Sequence, residues 1–209
     1  DPEYDFVLNL IGTGMKVVDI GAGVGAYSLP IAKKINNGGK LWFSVRSRSE
    51  RRYLELSLQH NKLDNTESLL YGNGRLQLGH EQYGAQFVRI AVNTTDDWVV
   101  SSNADFFEKN SPLVMMSVRR NSSEVDTTLV NLLTHYGYSA YRLVPGLGVL
   151  EPFVSPDQLD AMALNLFCCK EDRAEKLETQ GKLLRRVYPL SDLPGLGVRA
   201  WQDNLALQP

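Results

Sequence analysis

At 209 residues, 43% hydrophobic and 22% charged, the chain is long enough for one sizeable core and has the composition of a soluble globular domain. A net charge of −2 excludes a global electrostatic drive toward nucleic acid or an acidic membrane surface. No apolar run approaches the roughly 18 residues that a spanning helix needs, and the amino end lacks a secretory signal pattern, so a cytoplasmic setting without membrane or nucleic-acid partners is expected.

The first predicted element is a short β-branched strand, Val17, Val18 and Ile20, with Asp19 near its carboxyl end. Gly21, Gly23 and Gly25 follow at once, and Ala26 to Lys34 turns helical. After the turn at Asn36-Asn37-Gly38-Gly39, Lys40 to Val45 reads as a second strand, completing a βαβ unit. Ser47 to Glu50 fits a capping box that starts a helix running to about Lys62. A short third strand is expected at Ser68 to Tyr71, then a glycine-rich and polar loop or edge ribbon from Gly72 to Ala85. Gln86 to Val92 is a fourth strand and Asp96 to Lys109 a helix. Pro112 to Val118, a near-continuous apolar run, is a fifth and central strand.

A helix from Ser123 to Tyr136 is expected to stop at Gly137, and Tyr138 to Val144 and Val149 to Phe153 read as a closing antiparallel hairpin. From Pro156 a last helical region passes through Leu166 and Lys176 to near Gly181, and the residues from Val187 onward read as a surface-wrapping tail. Cys168 and Cys169 fall inside that helical pattern, which suits neither a disulfide nor a zinc site and leaves them as reduced core residues. The organisation expected is a core over 1–155 with a helix and tail over 156–209 packed on it. The opening Asp1-Pro2, without methionine, predicts a segment of a longer protein whose neighbouring domains are partners.

Strands alternating with helices imply a doubly wound α/β sheet with its ligand beyond the carboxyl ends of the strands. Gly21-x-Gly23-x-x-Ala26 satisfies a dinucleotide fingerprint as it stands, and a purely structural glycine turn is the bland alternative. An acid two places before the first glycine, in Asp19-Ile20-Gly21-Ala22-Gly23, instead resembles the first motif of S-adenosylmethionine (SAM) methyltransferases.

Over most of its length the chain resembles the FkbM family of methyltransferases. The resemblance is carried by VVDIGAGVGAYSL at 17–29, LELSLQHNKL at 54–63, FFEKNSPLVMMSV at 106–118, HYGYSAYRLVPGLGVLEPF at 135–153 and LNLFCCKEDRAEKL at 164–177. It implies a Rossmann-like SAM-methyltransferase sheet, mostly parallel with a closing antiparallel hairpin. The chemistry it implies is O-methylation of a hydroxyl on a sugar, glycan or secondary metabolite. Asp19, Gly21, Ala22, Gly23 and Gly25 are then the cofactor-binding positions, with Arg46 at the rim.

The rim departs from the family. Where a Glu-Pro pair would end the second strand and hold the ribose hydroxyls, this chain has Phe43-Ser44-Val45-Arg46. The fourth strand has Ala91 and Asn93 in place of two acids, and Ser117 replaces a glutamate at the end of the fifth. Each carboxylate bond to ribose contributes about 1.5–3 kcal/mol, so losing two or more costs roughly 3–6 kcal/mol, or two to four decades of affinity. The expectation is a methyltransferase fold whose catalysis is impaired or lost, acting as a scaffold or binding module. The alternative is an active SAM-dependent O-methyltransferase in which Asp96, Asp97 or Glu81 supplies the missing acids.

Cations stand where the acids are missing. Arg46, Arg48, Arg119 and Arg120 follow strands, and Arg51 and Arg52 read as a solvated helix face. Beside a glycine loop such a cluster suits an anionic nucleotide or phosphate, a third reading. His80 with Glu81 is the candidate general base toward a hydroxyl, if methyl transfer survives. No histidine or cysteine spacing suggests a metal.

Overall fold

The computed structural model describes residues 1–36, 38–69, 71–72, 75–91, 98–121, 124–144, 146–156, 159 and 164–185. Expectations for the tail beyond Arg185, and for Asn93, Asp96 and Asp97, lie outside these residues.

The chain opens with a helix, α1 (Pro2–Leu10), that sequence reading did not anticipate. The Asp1 carboxylate accepts from the amides of Glu3 and Tyr4, with proline at the first helical turn where its missing N–H costs nothing. β1 (Lys16–Ile20), α2 (Ser28–Ile35) and β2 (Lys40–Ser44) then form the expected βαβ unit. α3 (Arg48–His60) is started by the predicted box: Ser47 Oγ accepts from Glu50 N–H, and Glu50 Oε2 accepts from Ser47 N–H, both at 3.1 Å. β3 (Thr66–Ser68) comes earlier than expected, because Asn65 already accepts from Leu41. The expected ribbon is a two-residue pair, β4 (Tyr71–Gly72) with β5 (Arg75–Leu76), followed by a 3₁₀ turn at His80–Gln82.

β6 (Phe87–Ile90) precedes two short helices, α4 (Trp98–Ser101) and α5 (Ala104–Lys109), in place of one. Asn103 breaks them apart: its buried amide accepts from Leu78 N–H at 2.6 Å and donates to the carbonyls of Leu76 and Val99. β7 (Leu113–Ser117) is the expected central strand. The helix expected from Ser123 starts later. Glu124–Asp126 forms β9, which pairs with β8 (Arg119–Asn121), and α6 (Thr128–His135) begins only after it. β10 (Ser139–Val144) and β11 (Val149–Pro152) form the predicted hairpin.

The largest correction falls on the last region. Residues expected to continue a helix through Leu166 instead form a strand, β12 (Asn165–Cys169), and only then α7 (Glu171–Thr179). β12 lies antiparallel between β7 and β10, in the order β11-β10-β12-β7-β6-β1-β2-β3. An expected boundary at 155 therefore does not mark the end of the sheet.

Strand alternation divides the core into two layers. Val17, Leu41, Phe87, Met115, Phe167 and Cys169 face α1, α2, α3 and α7. Val18, Trp42, Val88, Val114, Leu166 and Cys168 face α4, α5 and α6. Neighbouring Cys168 and Cys169 thus point to opposite faces. Both are buried free thiols, and burial raises both above the usual thiol range, Cys169 to about 12. In the folded protein at pH 8, neither is expected to react with an aromatic disulfide reagent until denaturant is added; fast native-state release of the chromophore would contradict this placement.

α1 is tied to the centre of the sheet by one buried side chain. Glu3 accepts from the amides of Leu164 and Asn165 at 3.3 and 3.0 Å and from Asn165 Nδ2 at 2.6 Å. Glu3→Ala leaves those donors unpaired and is expected to destabilise the fold by about 2–4 kcal/mol, seen as a lower urea midpoint at unchanged slope.

Candidate functional site

The loop between β1 and α2 is folded inward by its own hydrogen bonds. The amides of Gly21 and Ala22 both donate to the carbonyl of Ser44, at 3.1 and 2.8 Å, which fastens the loop to the carboxyl end of β2. Gly21 has φ +82°, and a Cβ there would lie 2.2 Å from the Ala91 carbonyl oxygen, so only glycine lets the loop pass between β2 and β6. Gly25, at φ +99°, lets Leu54 of α3 approach; a Cβ would meet Leu54 Cδ1 at 2.5 Å. Gly23 has a different role. A side chain there would meet no atom within 4 Å, so it borders open space.

That space is an open cleft of about 120 Å³ lined by Gly21, Gly23, Arg46, Glu50 and Ala91, smaller than the roughly 300–1,000 Å³ of ligand-sized cavities. Three predicted cofactor-site positions, Gly21, Gly23 and Arg46, line it, whereas Ala22 is buried and does not. Sequence reading missed Glu50 as a lining group because its capping-box signal explained the residue completely. It is the carboxylate among the described lining residues. One oxygen already caps α3, and a helix cap is worth about 0.5–2 kcal/mol, so giving it up for a ribose hydroxyl worth about 1.5–3 kcal/mol gains nearly two decades of affinity at most, about 2.5 kcal/mol.

Asp19 does not reach the cleft. Its side chain is fully buried: Oδ2 accepts from Ser28 Oγ at 2.6 Å, and Oδ1 is paired with Arg89 Nη1 at 2.8 Å. Asp19 and Arg89 are register partners on β1 and β6, so they share a face of the sheet. The Arg89 guanidinium stacks 4.2 Å from the centre of the Tyr27 ring, and Tyr27 meets Tyr4 of α1 edge-on at 5.2 Å. Burial raises the Tyr27 hydroxyl above the usual phenol range, with Arg89 opposing. Of the described groups that could meet SAM, a guanidinium follows β2, Glu50 is the carboxylate on the cleft, and the acid of the first motif is closed on both oxygens by protein groups.

His80 and Glu81 are not brought to this cleft. Their 3₁₀ turn leads into the amino end of β6, where Tyr83 O accepts from Lys16 Nζ at the start of β1, while the glycine loop follows the carboxyl ends. Five strand residues, about 16 Å, separate the two edges. Both side chains are exposed. Arg48 and Arg52 are exposed on α3, and Arg119 begins β8 beyond β7. Among the described residues, no cluster of three or more histidine, cysteine or carboxylate side chains suits a metal, and no helix is long and apolar enough to cross a membrane.

Removing one partner of a buried ion pair leaves the other uncompensated, so Arg89→Met is expected to cost about 3–5 kcal/mol. Combining it with Asp19→Ser should recover part of that loss. A double-mutant cycle by denaturant unfolding checks this, and additive losses would show the pair to be uncoupled.

No family model and no curated protein matches the chain in sequence. Solved structures do match in shape. A SAM-dependent methyltransferase from Aquifex aeolicus superposes with a TM-score of 0.52 at 17% identity, covering 81% of this chain and 88% of that one. A putative rRNA methylase from Clostridium thermocellum gives 0.55 at 12% identity, covering 80% and 92%. Aeropyrum pernix fibrillarin, in complex with natively bound SAM, gives 0.52 at 15% identity, covering 76% and 67%. None of these neighbours is specific to the FkbM family. At such identities the likeness is one of architecture, and the chain has the Rossmann-like fold of SAM-dependent methyltransferases, a mostly parallel sheet closed by antiparallel strands.

Proposed function

We propose that this domain is an FkbM-like methyltransferase fold in which SAM-dependent catalysis is impaired or lost, and which serves as a scaffold or binding module beside neighbouring domains of a longer chain. The observation that carries the reading is the guanidinium of Arg46 on the cleft where a ribose-binding carboxylate would stand. The enclosure of Asp19 by Ser28 and Arg89 supports it, since that carboxylate cannot turn to a ligand without breaking a buried pair.

One observation favours a second reading. Glu50 lies on the same cleft as Gly23 and offers a carboxylate four residues beyond Arg46, in the first turn of α3. In an active O-methyltransferase it would hold the cofactor's ribose, and the acceptor would be a hydroxyl of a sugar, glycan or secondary metabolite.

Calorimetry with SAM and with its demethylated product separates the two. The proposal expects no saturable binding below about millimolar ligand, in line with the two to four decades lost with the carboxylates. Micromolar binding that Glu50→Gln weakens about tenfold or more would establish the second reading. Glutamine still serves a capping box, so this variant keeps α3 intact.

A further inference from the structure

The far edge of the sheet carries a groove that the glycine loop does not explain. β3 ends the sheet on that side, parallel to β2. Its ladder fixes which backbone groups turn outward. Asn65 C=O accepts from Leu41 N–H at 2.9 Å, and Leu69 N–H donates to Phe43 C=O at 2.7 Å. Alternate residues of a parallel strand pair on alternate sides, so the N–H and C=O groups of Thr66 and Ser68 face away from the sheet. Among the described residues, no strand pairs with that edge.

Alongside runs a shallow, open groove of about 370 Å³ between β3 and α3. Buried Phe43 and Leu58 and half-buried Leu63 give it apolar surface, and Glu55, Asp64 and Glu67 give it negative charge. Glu67 is held by Lys40 at 3.1 Å, which leaves exposed Glu55 and Asp64 to meet a cation. Ser68 Oγ, also on the groove, is buried without a hydrogen-bond partner. Natural sheets blunt an open edge with proline, lysine or a bulge, and Thr66-Glu67-Ser68 has neither proline nor lysine.

We propose that this edge and groove receive an extended basic peptide segment by strand addition. Its backbone pairs with the outward groups of Thr66 and Ser68, an aliphatic side chain enters against Phe43, Leu58 and Leu63, and a lysine or arginine reaches Glu55 and Asp64. A second copy of this chain is the poorer occupant, because edge-to-edge pairing sets the same acids against one another. The surface stands apart from the glycine-loop cleft and is the same whether or not the domain transfers methyl groups.

The test titrates a capped peptide of about seven residues, alternating valine with lysine, into the 209-residue chain. Heteronuclear NMR and amide exchange provide the readout. Saturable shifts confined to residues 54–69, with slowed exchange at Thr66 and Ser68, are expected. So is about tenfold weaker binding to the Glu55→Lys, Asp64→Lys double variant, and no binding of the matching glutamate peptide. Equal binding of both peptides, shifts outside the groove, no shifts at millimolar peptide, or edge-mediated dimers without peptide would each overturn the proposal. If the double variant does not fold, raising salt takes its place: about a tenfold loss of affinity is expected, and salt-insensitive binding overturns the proposal.

Discussion

A carboxylate with no exposure to water must be answered within the protein, and the region around the glycine loop is organised by how Asp19 is answered. Ser28 at the first position of α2 and Arg89 on β6 each take one oxygen. Arg89 in turn is held over Tyr27, Tyr27 abuts Tyr4, and the helix carrying Tyr4 is fixed to β12 through Glu3. One buried charge therefore couples β1, β6, α2 and α1, and through Glu3 the antiparallel insertion as well. The arrangement is not free of cost, since Arg89 Nε is buried without a partner.

The same coupling separates two jobs that a glycine loop can do. Gly21 and Gly25 serve the protein's own packing, one against the Ala91 carbonyl and the other against Leu54. Of the three, Gly23 alone leaves room for a side chain, and among the described residues the charged groups on its cleft are Arg46 and Glu50. Among the described residues, the loop is held by hydrogen bonds to Ser44 and by packing against Ala91 and Leu54. These contacts do not involve the charged groups on the cleft's rim, so the fold and the chemistry of the pocket are separate questions.

The parallel half was legible in the sequence because its signals are local. The β-branched run before Gly21, the turn at Asn36 and the Ser47 to Glu50 box each mark an element within a few residues. What was not legible depends on distant partners. The stretch LNLFCCKEDRAEKL has no glycine or proline to divide it, and its helical second half drew the strand into the same element. Only pairing with β7 and β10, some 30 to 50 residues upstream, makes Asn165–Cys169 a strand. Arg89 is likewise a single charged position in an otherwise mostly apolar strand, and its partner lies 70 residues away. Asn103 divided a helix through bonds to Leu76 and Leu78 that no helical period encodes. The loop glycines were read from the motif and Arg46 from its place after the second strand, while Glu50 was hidden by a second, sufficient explanation of the same residue.

The two ends of the sheet show how differently one fold handles open backbone. At the hairpin end the chain returns after α7, and Leu183 bridges Leu150: Leu150 N–H donates to Lys182 C=O, and Leu184 N–H donates to Leu150 C=O. The outer strand is thereby covered by the chain itself, and Arg142 with Glu151 places an ion pair across the hairpin. At the other end β3 is kept to three residues and set among acids. Shortness limits how much backbone is offered, and like charge discourages pairing between copies. Neither device closes the edge to a partner of opposite charge. Covering by chain and guarding by charge are therefore not equivalent solutions: the first removes an interaction surface, whereas the second only selects what can occupy it.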